Sequence, residues 1–570
     1  MKRCPECRRD YADDTLLYCL EDGTALVQGS VPSPDEPQTA ILHETDAQGD
    51  APTRAQIHTT EQTAVLPSGI TPVQKTSAFD KRLLLAPVAL AVIALGGYFG
   101  YRYLGSPTSG QIDSIAVMPF ANDSGDPGIE YLSDGMTETL INSLSGITDL
   151  QVKARSSVFR YKGKEFKPQT VASELGVQTL LTGRIVQRGD QLILNLELID
   201  PGTENVLWGN RYERKSSELV ALQTEITKDV LGQLKSRLSG EDNAKIAGSN
   251  TDDSEAYKLY LKGRYYAEKR TGKDLLKSLE FYDQAVAEDP NYALAYTGLA
   301  ESYGVLSIYG VSTPKETMPK AREAATKALA LNNDLAEAHS ALGNVLFRYD
   351  YDFEAAEREL QRAIELNPKY GFAHNWNAEL LSNIGRHDEA IRSIQRALEI
   401  DPLSLTFNRV YAFILFYADR FEEAEAQHKK TIELDENYAV TYMDFGNLYE
   451  ARKDYVKAVE MFTKGLELSG NRERAEELRG AFSKDGWTGY LRKRIELADS
   501  NTDAKFYQDS TIKPYCFVGL GQNDKALDEL EKIFEMRYTE VVAIKVDPLL
   551  DPLREEPRFK ELIRKVGFPE

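Results

Sequence analysis

A spacing of thirty-four residues governs the second half of this chain. Pro368 is followed at that interval by Pro402, Glu436 and Gly470. A small residue recurs at Ala356, Ala390, Ala424 and Ala458. A second small position falls at Ala363, Ala397 and Gly465, with Thr431 the exception, and a third series runs Gly343, Ala378, Ala412 and Gly446. Self-similarity of this period marks a supersecondary unit that cannot bury its apolar face alone and must stack on its neighbours. Small residues are needed where the two helices of a unit cross closely, and Leu360, Ile394 and Phe462 fill the space beside them. Two earlier units fit with insertions: one ends at Pro290 with Ser278, Tyr282 and Ala285, the next at Asn333 with Ala321 and Ala328. Six units are therefore expected over 254–470. Residues 471–570 read as a helical cap with a degenerate repeat around Gly521, Ala526 and Leu530.

This pattern resembles the tetratricopeptide repeat. The resemblance implies an all-α solenoid that takes a protein or peptide ligand on a concave face lined by the first helix of each unit. Projected from the repeat phase, that face includes Asn344, Arg348, Asn375, Asn383, Arg409, Tyr417 and Asn447. Asparagine side chains can hydrogen-bond an extended peptide backbone, and the two arginines can take a carboxylate. His374 falls at a packing position of its helix. A formal charge of −21 argues against a nucleic-acid partner, because the phosphate backbone needs a basic face.

Upstream, Leu83 to Tyr101 is free of charge, and with extension to Leu104 it is long enough to cross a hydrocarbon core of about 30 Å as a helix. A single transmembrane helix is expected over 83–104. Lys75, Lys81 and Arg82 precede it, while Arg102 alone follows closely, so the N-terminus is expected in the cytoplasm and the C-terminal domains outside the cytoplasmic membrane. Gly96 and Gly100 form a small-xxx-small pair through which two anchors could pack as a homodimer.

The first twenty-three residues carry Cys4 and Cys7 as a C-x-x-C knuckle, and Cys19 with Asp22 repeats the spacing. Ligands at i and i+3 on two turns can converge on one tetrahedral zinc ion. The segment resembles a half-length zinc ribbon in which Asp22 stands where a fourth cysteine normally sits; Glu21 or His43 could take its place. Residues 24–80 hold seven acidic side chains against two basic ones, six prolines and no sustained apolar periodicity, which reads as a disordered tether.

Between the anchor and the repeats the texture changes to α/β. Ser114 to Phe120 reads as a buried strand, and Ser133 or Asp134 as the N-cap of a helix with Met136, Leu140, Ile141 and Leu144 on one face. Leu192, Leu194, Leu196 and Leu198 alternate, with turn residues Arg188-Gly189-Asp190 before and Pro201-Gly202 after, so strands near 178–187, 192–199 and 205–213 should form a meander. A final helix carries Leu222, Ile226, Val230, Leu234 and Leu238. Residues 112–240, through SIAVMPFANDSGDPGIEYLSDGMTETLINSL, LLTGRIVQRGDQLILNLELID and VLWGNRYER, resemble the TolB-like N-terminal domain of many bacterial membrane-anchored proteins. That resemblance implies a compact α/β domain outside the membrane with no established chemistry.

No catalytic constellation accompanies these parts. Asp444-Phe445-Gly446 spells a kinase magnesium motif, but it falls inside a repeat helix without a glycine-rich phosphate loop. The chain is therefore expected not to be an enzyme. The expected architecture is a zinc-ribbon-like head, one transmembrane helix, an α/β (TolB-like) domain and a tetratricopeptide solenoid, serving as a membrane-tethered interaction scaffold. A transmembrane signal receiver and a cell-envelope assembly or transport component are the alternatives. The head makes one prediction: purified full chain should carry about one zinc per molecule by elemental analysis, and Cys4→Ser should abolish it.

Overall fold

The computed structural model describes residues 2–3, 10–11, 27–28, 112–147, 150–234, 251–307, 311–500 and 507–569. The chain divides into two units, Met1–Gly100 and Tyr101–Glu570. In the first, β1 (Lys2–Arg3), β2 (Asp10–Tyr11) and β3 (Val27–Gln28) form an antiparallel sheet in the order β2–β1–β3. Strand β3 falls in what was expected to be tether, so those residues belong with the head. Cys4, Cys7, Cys19, Asp22, the segment 83–104 and its Gly96 and Gly100 lie outside the described residues. Among the described residues no helix is long and apolar enough to cross a membrane.

The second unit opens with an α/β domain. Its elements are β4 (Ser114–Val117), β5 (Ala121–Asn122), α1 (Glu130–Ser145), β6 (Gln151–Val152), α2 (Arg155–Phe159), α3 (Pro168–Leu175), β7 (Thr179–Arg188), β8 (Gln191–Asp200), β9 (Asn205–Lys215) and α4 (Leu219–Leu234). The sheet order is β6–β4–β7–β8–β9, with β5 pairing β7 beside β4. Strand β4 runs parallel to both neighbours, and its wholly apolar core suits a strand buried on both faces. The leucines at 192, 194, 196 and 198 are all buried, as their alternation requires. Tyr212 on β9 donates to Asp229 on α4 at 2.8 Å and ties the helix to the sheet.

The start of α1 differs from the expectation. Asp126 caps a 3₁₀ turn, Pro127–Ile129, by accepting from the Gly128 N–H at 2.8 Å, and the turn runs directly into α1. Ser133 and Asp134 therefore lie inside the helix, buried rather than capping it. The proline fixes φ at the first position, so winding begins there.

Six helix pairs follow. They are α5 (Ser254–Ala267) with α6 (Gly272–Glu288), α7 (Ala293–Leu306) with α8 (Pro314–Leu331), and α9 (Ala336–Val345) with α10 (Phe353–Leu366). Next come α11 (Gly371–Asn383) with α12 (His387–Ile400), α13 (Leu405–Tyr417) with α14 (Phe421–Leu434), and α15 (Ala439–Ala451) with α16 (Tyr455–Leu468). The small positions are where the helices meet. A Cβ on Gly343 would lie 2.7 Å from Leu360, and one on Gly446 2.6 Å from Phe462. Tyr282 is enclosed by two glycines, since a Cβ on Gly263 or Gly298 would approach its ring to 2.5 Å.

Between units the joints share a second device. His374 Nε2 lies 3.0 Å from the carbonyl oxygen of Pro368, Asn408 Nδ2 donates to that of Pro402 at 3.0 Å, and the Tyr442 hydroxyl donates to that of Glu436 at 3.0 Å. His339 Nε2 stands in the same relation to Asn333, also at 3.0 Å. Each ties a carbonyl at a repeat end to the helix that follows.

The array closes with α17 (Arg472–Ser500), kinked at Asp485–Gly486, then α18 (Tyr507–Gly519), α19 (Asn523–Glu535), 3₁₀ turns at Thr539–Ala543 and Pro548–Leu553, and α20 (Pro557–Val566). This cap folds back onto earlier units. Arg537 donates to the Tyr349 carbonyl at 2.8 Å, Lys545 to that of Ile384 at 3.3 Å, and Phe568 stacks on Phe353 at 5.1 Å. The α/β domain docks on the array as well. Helix α1 lies against α5 at Gly135, where a Cβ would meet Leu261 at 2.8 Å. Glu138 pairs with Arg264 and with Arg155 (3.3 Å), and Lys369 donates to the carbonyls of Ile147 and Leu150 at 3.0 and 2.8 Å. Ser156 bonds Asp401 beyond the fourth pair.

This packing is testable at two points. Gly298→Val should cost about 1–3 kcal/mol by overpacking against Tyr282 and lower the thermal midpoint followed by circular dichroism. The other point is Glu450 on α15, which faces Arg494 on α17 and Asp547 of the cap. Burial pushes Glu450 up to about 7, with Arg494 opposing and Asp547 adding to the rise. A folded-state value above the ordinary one gives stability that is complete below about pH 4.5 and is lost as pH rises through 7. The cap should therefore melt at lower temperature at pH 8 than at pH 5.5, and Glu450→Gln should flatten that dependence.

Candidate functional site

The first helices α9, α11, α13 and α15 carry the residues projected onto the inner face. Asn344, Asn375, Asn383 and Tyr417 are all buried, Asn375 completely and Asn344 and Asn383 at 4% exposure. They are not the solvated polar surface that the repeat phase alone implies. The α/β domain bonds to the chain just before α11 and α13, at Lys369 and Asp401, and the cap to the chain just after α9 and α11, at Tyr349 and Ile384. Asn447 is half-buried. Tyr417 packs on Phe413 with ring centroids 4.3 Å apart.

These buried polar groups are cross-linked. Arg348 pairs with Glu379 and lies over the Trp376 ring at 5.2 Å. Asn375 Nδ2 donates to Glu379 Oε1 at 2.9 Å, and Asn383 Nδ2 to the Glu379 carbonyl oxygen at 2.7 Å. Arg409 pairs with Asp444 at 2.5 Å across to the next unit. Glu379 and Asp444 are the residues that sequence reasoning missed. Glu379 stands one helical turn after Asn375 and shares the repeat phase of Asn344 and Asn447, so that phase read for acids as well as amides would have found it; Asp444 lies 35 residues after Arg409, one off the repeat, and had no such signal.

The Asn375 and Asn383 amide donors are spent in these bonds, while several buried acceptors and one donor are not. Asn344 Oδ1, Asn375 Oδ1 and Asn383 Oδ1 are buried with no hydrogen-bond partner among the described residues, as is the Arg348 Nε donor. An unmatched buried polar atom costs about 1–3 kcal/mol, so a set of them on two adjacent first helices suits a ligand that supplies N–H groups. Of the other residues singled out in the sequence, Phe445 and Gly446 pack inside α15, with Phe445 stacked on Tyr449 at 4.6 Å. Cys516 is a free, fully buried thiol that burial pushes up to about 12. Among the described residues no group of three or more His, Cys, Asp or Glu could hold a metal ion.

Against known proteins, residues 111–229 match the family model of the HilA/YgeH-like transcriptional regulator, second domain, and residues 373–402 match that of the tetratricopeptide repeat. The Rhizobium meliloti (strain 1021) protein named Putative adenylate cyclase 3 is 33% identical over 187 residues, 33% of this chain and 32% of that protein. Transcriptional regulator HilA of Salmonella typhimurium is 31% identical over 102 residues, 18% of each chain. The chain thus spans about a third or less of the length of these curated relatives. The solved tetratricopeptide protein TTC0263 of Thermus thermophilus is 20% identical, with a TM-score of 0.29 over 36% of this chain and 98% of that one. The similarity to a protein named Putative adenylate cyclase 3 overturns the expectation that the chain is not an enzyme. That expectation rested on missing nucleotide-binding motifs, which says nothing of a segment shared with an enzyme. Within the array of helix pairs, it is residues 373–402 that match the tetratricopeptide repeat.

Proposed function

We propose that the chain is a membrane-tethered scaffold whose repeat array holds an extended peptide of a partner protein along α9 and α11, whose buried asparagines are uncovered as the peptide binds. The observation that carries this reading is the set of unmatched acceptors, Asn344 Oδ1, Asn375 Oδ1 and Asn383 Oδ1, on neighbouring first helices. Three acceptors call for backbone N–H donors, which an extended peptide offers at regular intervals. Arg348 and Arg409, each already paired with a carboxylate, fix the surrounding geometry rather than awaiting charge.

The rest of the scaffold is read from the sequence. The segment 83–104 is the anchor, with the N-terminus cytoplasmic and the C-terminal domains outside. Cys4, Cys7, Cys19 and Asp22 would hold a structural zinc, and Gly96 and Gly100 would pair two anchors. The α/β domain over 112–240 is TolB-like in this reading. A second reading, the signal receiver, is supported by the relatives, because the α/β segment matches the second domain of a transcriptional regulator. In that case partner binding would alter anchor pairing and pass inward to the head.

Proximity labelling in intact cells tests the scaffold, with the tag first on the C-terminus and then on the N-terminus. A C-terminal tag should mark a small set of envelope proteins and an N-terminal tag cytoplasmic ones. Replacing Asn344, Asn375 and Asn383 together by alanine should reduce the C-terminal set by about tenfold or more, at roughly 1 kcal/mol per lost hydrogen bond. Cytoplasmic proteins around the C-terminal tag would invert the orientation, and labelling indifferent to the asparagines would remove the peptide site.

A further inference from the structure

The hairpin joining β8 to β9 sits where the chain enters the folded domain. Strand register fixes this: Ala116 on β4 stands opposite Leu180, Leu180 opposite Ile199, and Ile199 opposite Val206. Val206 is therefore three strands, about 14 Å, across the sheet from Ala116. The hairpin turn and the start of β4 lie at the same end. Ile112 is the first described residue there, eight residues past Leu104, a reach of no more than about 29 Å even fully extended.

That end of the sheet is apolar at its edge. Among the described residues the large hydrophobic side chains left exposed are Val206 (55%), Leu207 (52%), Leu276, Val440, Val456 and Met536. Only Val206 and Leu207 are adjacent, and half-buried Trp208 follows them on an edge strand. The hairpin is held rigidly: the Asp200 carboxylate accepts from the Gly202 N–H at 2.9 Å and from the Thr203 hydroxyl at 2.7 Å.

We propose that Val206, Leu207 and Trp208 dock into the headgroup layer of the bilayer that carries the anchor. This rests on the reading of 83–104 as a membrane helix. Aliphatic side chains followed by tryptophan suit the boundary between headgroups and acyl chains. Two half-exposed aliphatic side chains fall far short of the roughly 800 Å² per partner that a stable dimer buries, so a second copy is the poorer occupant. Against a membrane the same small patch suffices, because the anchor already holds the domain at high local concentration. Asp200 and Glu204 on the turn make zwitterionic lipid the favoured surface, and docking weakens as anionic lipid is added.

The test uses the full chain in phosphatidylcholine vesicles, with and without brominated acyl chains, which quench tryptophan at short range. The tryptophans are Trp208, Trp376 and Trp487, so Trp208→Phe isolates the contribution of the first. Trp208's share of the emission should fall by about half or more in brominated vesicles, and Val206→Ser with Leu207→Ser should remove that loss. An alkaline carbonate wash is run in parallel. Protein that resists the wash with Trp208 unquenched overturns the docking while leaving the anchor standing. Trp208 unquenched yet shielded from acrylamide in water overturns it in favour of a second copy at the edge. Protein released by the wash overturns the anchor reading, and the docking with it.

Discussion

Three helix pairs of the array, the first, third and sixth, turn on a large side chain meeting a residue with almost none. Tyr282 between Gly263 and Gly298, Leu360 against Gly343 and Phe462 against Gly446 are versions of one contact. Close crossing lets side chains interdigitate at solid-like density, and any added methyl must displace a ring or a branched chain. The thirty-four-residue spacing is the trace of this contact in the sequence, because the small residue must return each time the chain comes back to the crossing.

Contacts that repeat were therefore legible, and contacts made once were not. The leucine alternation at 192–198 announced a strand, and the small-residue series announced the helix pairs. The burial of Asn344, Asn375 and Asn383 had no such signal. The α/β domain before the array and the cap after it both bond back to the ends of these helices, as Lys369 does to Ile147 and Arg537 to Tyr349. Periodicity describes how a unit meets its neighbour and carries no information about long-range closure. Ser133 and Asp134 failed as caps for a related reason: Pro127 started the winding earlier, and Asp134 was left to bond Lys162 at 2.6 Å.

The α/β domain and the first helix pair form one apolar core. Leu132, Met136 and Leu140 of α1 belong to the same buried cluster as Tyr257, Leu261 and Tyr282. Above that core, Glu138 holds Arg155 and Arg264, and Glu268 takes Arg155 at 3.4 Å. Such a network is weak evidence for stability, since burying charge costs about as much as pairing returns. Its value lies in direction: guanidinium forks accept only a narrow set of approach angles, so the array leaves the α/β domain at one orientation.

The joint between units uses a donor rather than a residue type. Histidine, histidine, asparagine and tyrosine each span the same distance to a carbonyl six positions earlier. The position needs reach and polarity rather than one residue type, so neighbouring units can differ there while the same bond is kept. An array built this way tolerates a change of side chain at any one joint, provided that the new group still reaches the carbonyl six positions back.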